Sequence, residues 1–229
     1  MNKAIIIPDV HGRPFWRKVL DNKEDTIIFL GDYSDPYEIE GFTHEDCLKG
    51  LADIIQFKKD NPERVTLLLG NHDTHYLYPN WACWRFSKQH YSRYNKLYKE
   101  NIDLFQMAWE INANNRNCLF THAGMSIAWS ILNESDITWI DDSFSETLNR
   151  TWKENPKVFN SVGRYRGGDS VGSPIWADVR EHDTQGISDT TIQIFGHTQL
   201  MEEPFINGNM WCVDCQKVFM LEDGELKEY

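Results

Sequence analysis

Five short apolar runs, each closing on a cluster of polar residues or glycine, punctuate the chain: Ala4 to Val10, Thr26 to Asp32, Val65 to Asn71, Cys118 to His122 and Thr191 to His197. They are rich in β-branched side chains and lack polar alternation, as expected of strands buried on both faces. Glycine beside each terminus marks a strand followed by a turn. Between the second and third runs, Thr43 to Lys59 sets Leu48, Leu51, Ile54, Ile55 and Phe57 against Lys49, Asp53, Lys58 and Lys59, an amphipathic helix. Strand, helix, strand in that order predicts an α/β sheet with right-handed crossovers. Beyond Gln199 the pattern changes, and Asn207-Gly208-Asn209 reads as a hairpin turn between extended segments. These segments complete a second sheet, so the predicted architecture is a two-sheet α/β sandwich.

Two stretches, about 74–117 and 125–189, separate the apolar runs and are too long for plain loops. They are expected to be helical inserts in a single domain spanning 1–229, a length that one core accommodates. The first carries Arg85, Lys88, Arg93, Lys96 and Lys99 roughly along one helical face and Tyr91, Tyr94 and Tyr98 along another. A solvated basic face opposite an aromatic core face is the simplest reading.

Composition sharpens this picture. At 41% hydrophobic and 25% charged, with nine Trp, nine Tyr and twelve Phe, the chain is too apolar for disorder. A formal charge of -12 repels nucleic acid and anionic membranes, so an anionic substrate would need concentrated local positive charge, which bound cations provide. Five cysteines leave one unpaired in any internal disulfide scheme, which favours reduced thiols and a cytoplasmic protein. Ala4 to Ile7 is too short for a signal-peptide core, and no stretch approaches the ~20 apolar residues of a membrane span.

The chemistry lies at the run termini. Asp9-Val10-His11-Gly12 ends the first, Gly31-Asp32-Tyr33-Ser34-Asp35 the second and Gly70-Asn71-His72-Asp73 the third, followed by Thr121-His122-Ala123-Gly124 and Gly196-His197-Thr198. Carboxyl ends of strands in α/β sheets form the crevice where ligands bind. Burying Asp, Asn and His together there is costly unless their polar atoms are satisfied, and metal ions satisfy them.

In these five pieces the sequence resembles the calcineurin-like metallophosphoesterases, whose signature runs Asp-x-His, Gly-Asp-x-x-Asp, Gly-Asn-His-Asp/Glu, His and Gly-His. The resemblance implies two divalent metal ions. Asp9 and His11 would hold the first, Asp32 would bridge, and Asn71, His122 and His197 would complete the second. Asn, Asp and His ligands suit manganese, with iron or zinc as alternatives. Gly196-His197-Thr198-Gln199 has a single His where many phosphodiesterase branches have two, which is closer to the protein-phosphatase and diadenosine-tetraphosphatase branch. That branch uses an Asp at the position of Asp35 to orient the His corresponding to His72, the expected general acid. The implied function is hydrolysis of a phosphomonoester, on a small molecule or a protein, by metal-activated water attacking phosphorus in line. The alternatives are a dinucleoside polyphosphate hydrolase and a non-catalytic scaffold, the latter expected to have lost a ligand or the acid.

One departure stands out. The branch places Arg after the second Asp of Gly-Asp-x-x-Asp, whereas Pro36 and Tyr37 follow Asp35 here. Replacement phosphate-binding candidates are, in order, Arg166, Arg180, Arg164 and Arg13. The remaining polar residues read as structural. Asp73 caps the following helix or binds turn backbone, Cys212 and Cys215 pack in a strand, and Trp176 fills core beside the site. His44, His75, His90 and His182 lack motif context and are expected at structural or surface positions.

Overall fold

The computed structural model describes residues 3–23, 25–114, 116–140 and 143–229. Strands β1 (Lys3–Ile7), β2 (Thr26–Phe29) and β3 (Val65–Leu68) pair in parallel, and β4 (Phe105–Gln106) extends them at one edge. The second sheet is built from β5 (Ala108–Ala113), β6 (Arg116–Thr121), β7 (Thr191–Phe195), β8 (Phe205–Asn207) and β9 (Met210–Cys212), in the order β5-β6-β7-β9-β8. The hairpin β10 (Phe219–Glu222) and β11 (Glu225–Glu228) then returns to the first sheet, giving β11-β10-β1-β2-β3-β4. The predicted turn is present: Asn207 pairs with Met210 where β8 folds back on β9.

Alternation along each strand explains the layering. Ala4, Ile6, Ile28, Leu30 and Leu68 of the first sheet pack with Cys118, Phe120, Ile192 and Ile194 of the second, forming the core between sheets. On the opposite face of the first sheet, Ile5, Ile7, Ile27, Phe29 and Leu67 share a core with Leu48, Leu51 and Ile54 of helix α1 (His44–Asp60). Thr43 and Asp46 close a capping box at its start, one residue inside the expected boundary. The result is the two-sheet α/β sandwich that the apolar runs predict.

The first long connection departs from expectation. It is helical in α2 (Asn71–Leu77) and α3 (Tyr91–Glu100), but from Phe105 it becomes β4 and β5. Trp109 and Ile111 of β5 pack on the inter-sheet core, a gain that helix would forfeit. Arg85 and Lys88 precede α3, so the predicted basic face is reduced to Arg93, Lys96 and Lys99, while Tyr94 and Tyr98 are fully buried as the aromatic face requires. The second connection holds α4 (Ile127–Leu132), α5 (Phe144–Glu154) and several 3-10 turns. No helix among the described residues is long and apolar enough to cross a membrane.

His182, in that second connection, packs against Phe195 with the rings tilted 58° and makes a 2.9 Å hydrogen bond from Nε2 to the Ala123 carbonyl. Burial lowers its pKa from 6.5 to about 4. The unfolded chain therefore takes up a proton on this ring well before the folded one does. Stability from the neutral ring is complete above about pH 6.5, declines as pH falls toward 4 and levels off below. Over that window the loss is roughly 3 kcal/mol. Denaturant titrations of wild type and His182→Gln between pH 7 and 4 should show the variant losing distinctly less stability; parallel curves would refute this.

Candidate metal centre

Each ligand candidate sits on a turn just past a strand of one sheet or the other. Asp9 and His11 follow β1, Asp32 follows β2, Asn71 opens α2 after β3, His122 follows β6 and His197 follows β7. All are buried to within a few per cent except His197, which is half-buried. Close backbone approach explains two of the motif glycines. A Cβ on Gly70 would lie 2.1 Å from Asp32 Oδ1, and one on Gly196 would lie 2.3 Å from Asp9 Oδ1. His11, Asp32, Asp35 and His197 also take left-handed backbone conformations, with φ of 44°, 52°, 56° and 65°. Such geometry costs roughly 1–3 kcal/mol per residue and clusters at functional sites.

Two clusters share Asp32: Asp9, His11 and Asp32, and Asp32, His122 and His197, with ligand atoms within 4.8 Å of one another in each. His11 Nδ1 donates to the Ser34 carbonyl at 2.7 Å and His122 Nδ1 to the Leu30 carbonyl at 2.9 Å. With those protons committed outward, both Nε2 atoms turn lone pairs inward, 3.3 Å and 3.5 Å from Asp32 Oδ2. Asn71 Oδ1 and His197 Nδ1 each lie 3.1 Å from His122 Nε2. Crowded acceptors repel unless a cation lies among them, so this donor set fits divalent metal ions. Burial alone would raise the Asp32 pKa, but positive charge on His122, His72 and His11, when they carry a second proton, holds it well below the carboxylate range.

Beside the clusters, His72 Nδ1 lies 2.7 Å from Asp35 Oδ2, and His75 Nε2 meets the same oxygen at 2.7 Å. Tyr76 donates to Asp35 Oδ1 at 2.5 Å. Burial opposes ionisation of Asp35, yet the two imidazoles outweigh it and keep its pKa below 3.8. The other unassigned histidines are structural: His44 stacks on His90 and His182 packs under Ala123. Trp176 stands edge-on to His197 with ring centroids 5.8 Å apart. Cys212 and Cys215 are buried free thiols, and Cys212 Sγ lies 3.4 Å from the carbonyls of Gly196 and Thr198.

The four predicted arginines are placed very differently. Arg166 reaches the His197 turn, donating from Nη2 to Thr198 Oγ1 at 2.8 Å and to the His197 carbonyl at 3.2 Å, with Asp178 3.1 Å from Nε. Arg13 is buried in a forked pair with Glu40 at 2.7 Å and 2.8 Å, and its third contact is the Asp9 carbonyl, so no donor pair is left for a phosphate. Arg180 is spent on Asp178 and lies over the Tyr165 ring. Arg164 is exposed. The guanidinium that does face the candidate acid is Arg85, with Nη2 3.0 Å from His72 Nε2. Asp214 was also missed: it is a buried carboxylate whose pKa is driven far up by burial and by its neighbour Asp9.

Residues 3–201 match the calcineurin-like phosphoesterase family. The chain belongs to that family and is a metal-dependent phosphoester hydrolase. Among solved structures it resembles the cold-active protein-tyrosine phosphatase of a psychrophilic Shewanella species, with 18% identity and a TM-score of 0.64, covering 100% of this chain and 80% of that one. It also resembles a protein serine/threonine phosphatase from Saccharomyces cerevisiae with similarity to human phosphatase PP5. There the identity is 15% and the TM-score 0.51, over 96% of this chain and 72% of the other. No curated protein matches the sequence. At these identities the likeness is one of fold.

Gly196→Ala should displace Asp9 and His197 together, because the new methyl falls on the Asp9 carboxylate. Elemental analysis should find metal content lowered while the far-ultraviolet dichroism stays native; full metal loading would show that the close approach is dispensable.

Proposed function

We propose that this chain is a dinuclear phosphomonoesterase in which two divalent metal ions, manganese serving in vitro, would be held by the two donor clusters that share Asp32. The observation that supports it best is that the His11 and His122 Nε2 atoms, one from each donor cluster, both approach Asp32 Oδ2. Asp9 and His11 complete one ligand set, and Asn71, His122 and His197 the other. When bound, such a pair of cations would supply an activated water and positive charge to offset the negative charge that develops on the phosphoryl oxygens.

The protein's own groups account for the rest. The water oxygen bonds to phosphorus as the ester P–O bond breaks, the water's proton passes to solvent, and the departing alkoxide needs a proton of its own. His72 is placed to give it from Nε2, because Asp35 holds Nδ1 and fixes the ring. Tyr76 and His75 hold Asp35 in turn. Retention of every ligand position and of His72 argues against a non-catalytic scaffold.

Chelation should abolish hydrolysis of an aryl phosphate and manganese should restore it; full activity in protein shown by elemental analysis to be metal-free would eliminate the reading. Asp32→Asn should be the most damaging ligand change, lowering the content of both metals, whereas retention of two metals with a near-native rate would remove Asp32 from the bridge. His72→Ala should slow esters with poor leaving groups far more than activated aryl esters, since good leaving groups need little protonation. Equal slowing of both would assign His72 another role.

A further inference from the structure

The turn between α2 and α3 presents Arg85 to His72, with Trp84 exposed next to it in the chain. Arg85 adopts a left-handed conformation, φ 67°, although it is neither Gly nor Asn. Its Nη1 donates to the Asp35 carbonyl at 2.7 Å, and its guanidinium lies 3.8 Å from the centre of the Tyr37 ring. Tyr37 in turn stands edge-on to His11, 5.0 Å between ring centroids. Backbone anchor and aromatic platform thus aim a half-buried guanidinium at the acid side of the centre. Cys83 Sγ, 3.2 Å from His75 Nδ1, anchors the preceding end of the turn.

Arg85 donates to a neutral imidazole nitrogen at His72, which is a weaker partner than an anionic oxygen. A phosphoryl group entering beside His72 offers that oxygen, and a forked guanidinium matches its geometry. Nε2 cannot accept from Arg85 and also carry the proton meant for the leaving group, so the resting contact has to open during turnover. The next residue outward, Trp84, is 90% exposed, and Ile39, two residues beyond Tyr37, is 96% exposed. A scattered exposed apolar residue is ordinary. These two stand on turns that the Arg85–Tyr37 stack ties together, each within two residues of a member of that stack, whose guanidinium meets His72 Nε2.

We propose, building on the phosphomonoesterase reading, that Arg85 grips the transferring phosphoryl group while Trp84, with Ile39 on the neighbouring turn, packs against the leaving group. The site thereby selects phosphate esters of flat apolar alcohols, phenols above all, over those of sugars. Arg85 supplies the fixed donor pair that Pro36 displaces from its usual position after Asp35.

Calorimetric binding to the manganese-loaded protein tests both parts without requiring turnover, using inorganic phosphate, phenylphosphonate and naphthylphosphonate. Arg85→Ala should weaken phosphate binding by about ten- to a hundredfold, as expected for loss of a charged hydrogen bond, with Arg85→Lys recovering part of it and metal content unchanged. If Arg85→Ala binds less metal, Arg85→Lys is the deciding variant. Trp84→Ala should lower the preference for naphthylphosphonate over phenylphosphonate by about three- to tenfold, and Trp84→Phe should retain most of it. Wild-type phosphate affinity in metal-replete Arg85 variants would overturn the grip, and an unchanged naphthyl preference in Trp84→Ala would overturn the leaving-group contact. A wild-type protein that binds phosphate yet turns over no ester would remove the phosphomonoesterase reading, while the binding results would still decide on Arg85 and Trp84.

Discussion

The centre depends on one buried carboxylate that is not among its ligands. Asp73 accepts hydrogen bonds from the backbone amides of Asp32 at 2.7 Å, Tyr33 at 2.9 Å, Ser34 at 3.3 Å and Gly70 at 2.9 Å. The Tyr98 hydroxyl adds a fifth bond at 2.5 Å. Burial and the nearby Asp32 push its pKa up to about 7, so the amides and the tyrosine offset a substantial electrostatic cost. In exchange, the turn after β2 and the turn after β3 are fixed to each other. Asp32 completes the crossing, since its Oδ1 accepts from the His72 amide at 3.0 Å while Oδ2 faces the imidazoles. Without these bonds, a ligand and the candidate acid would ride on independent loops.

The left-handed residues follow from the same constraint. A chain leaving a strand and turning sharply enough to aim Asp32 or His197 back over the sheet end runs into positive φ. Glycine would relieve the strain but supply no ligand. The sequence instead puts glycine next to the ligand, at Gly31, Gly70 and Gly196, where the backbones come closest. The alternation of glycine with ligand residues in the motifs is therefore a packing requirement as well as a chemical one.

That requirement is why so much of the centre was legible in the sequence. Asp9, His11, Asp32, Asn71, His122 and His197 each follow an apolar run, and strand termini are the most readable points in an α/β chain. Asp73 was readable as a backbone-binding residue, though its reach to the turn after β2 was not. Arg85 lay outside what the pattern could reveal. It sits in an irregular turn, its positive φ is not marked by Gly or Asn, and its partners are separated from it by thirteen and fifty residues. Of the arginines expected to bind phosphate, Arg13 and Arg180 are neutralised by Glu40 and Asp178. Ion pairing of this kind depends on tertiary neighbours that no local spacing encodes. Strand β5 escaped for a similar reason, because its pairing with β6 outweighs the helical character of the segment before it.

Because the ligand turns come from both sheets, the centre also has a place in the order of synthesis. Asp9 and His197 meet across 188 positions, the His197 amide donating to Asp9 Oδ1 at 3.1 Å. A ribosome has threaded nearly the whole chain before the last candidate donor emerges, so no fragment that stops short of β7 holds all six of them. A centre that draws on turns from β1 through β7 therefore cannot be completed until both sheets have supplied their turns.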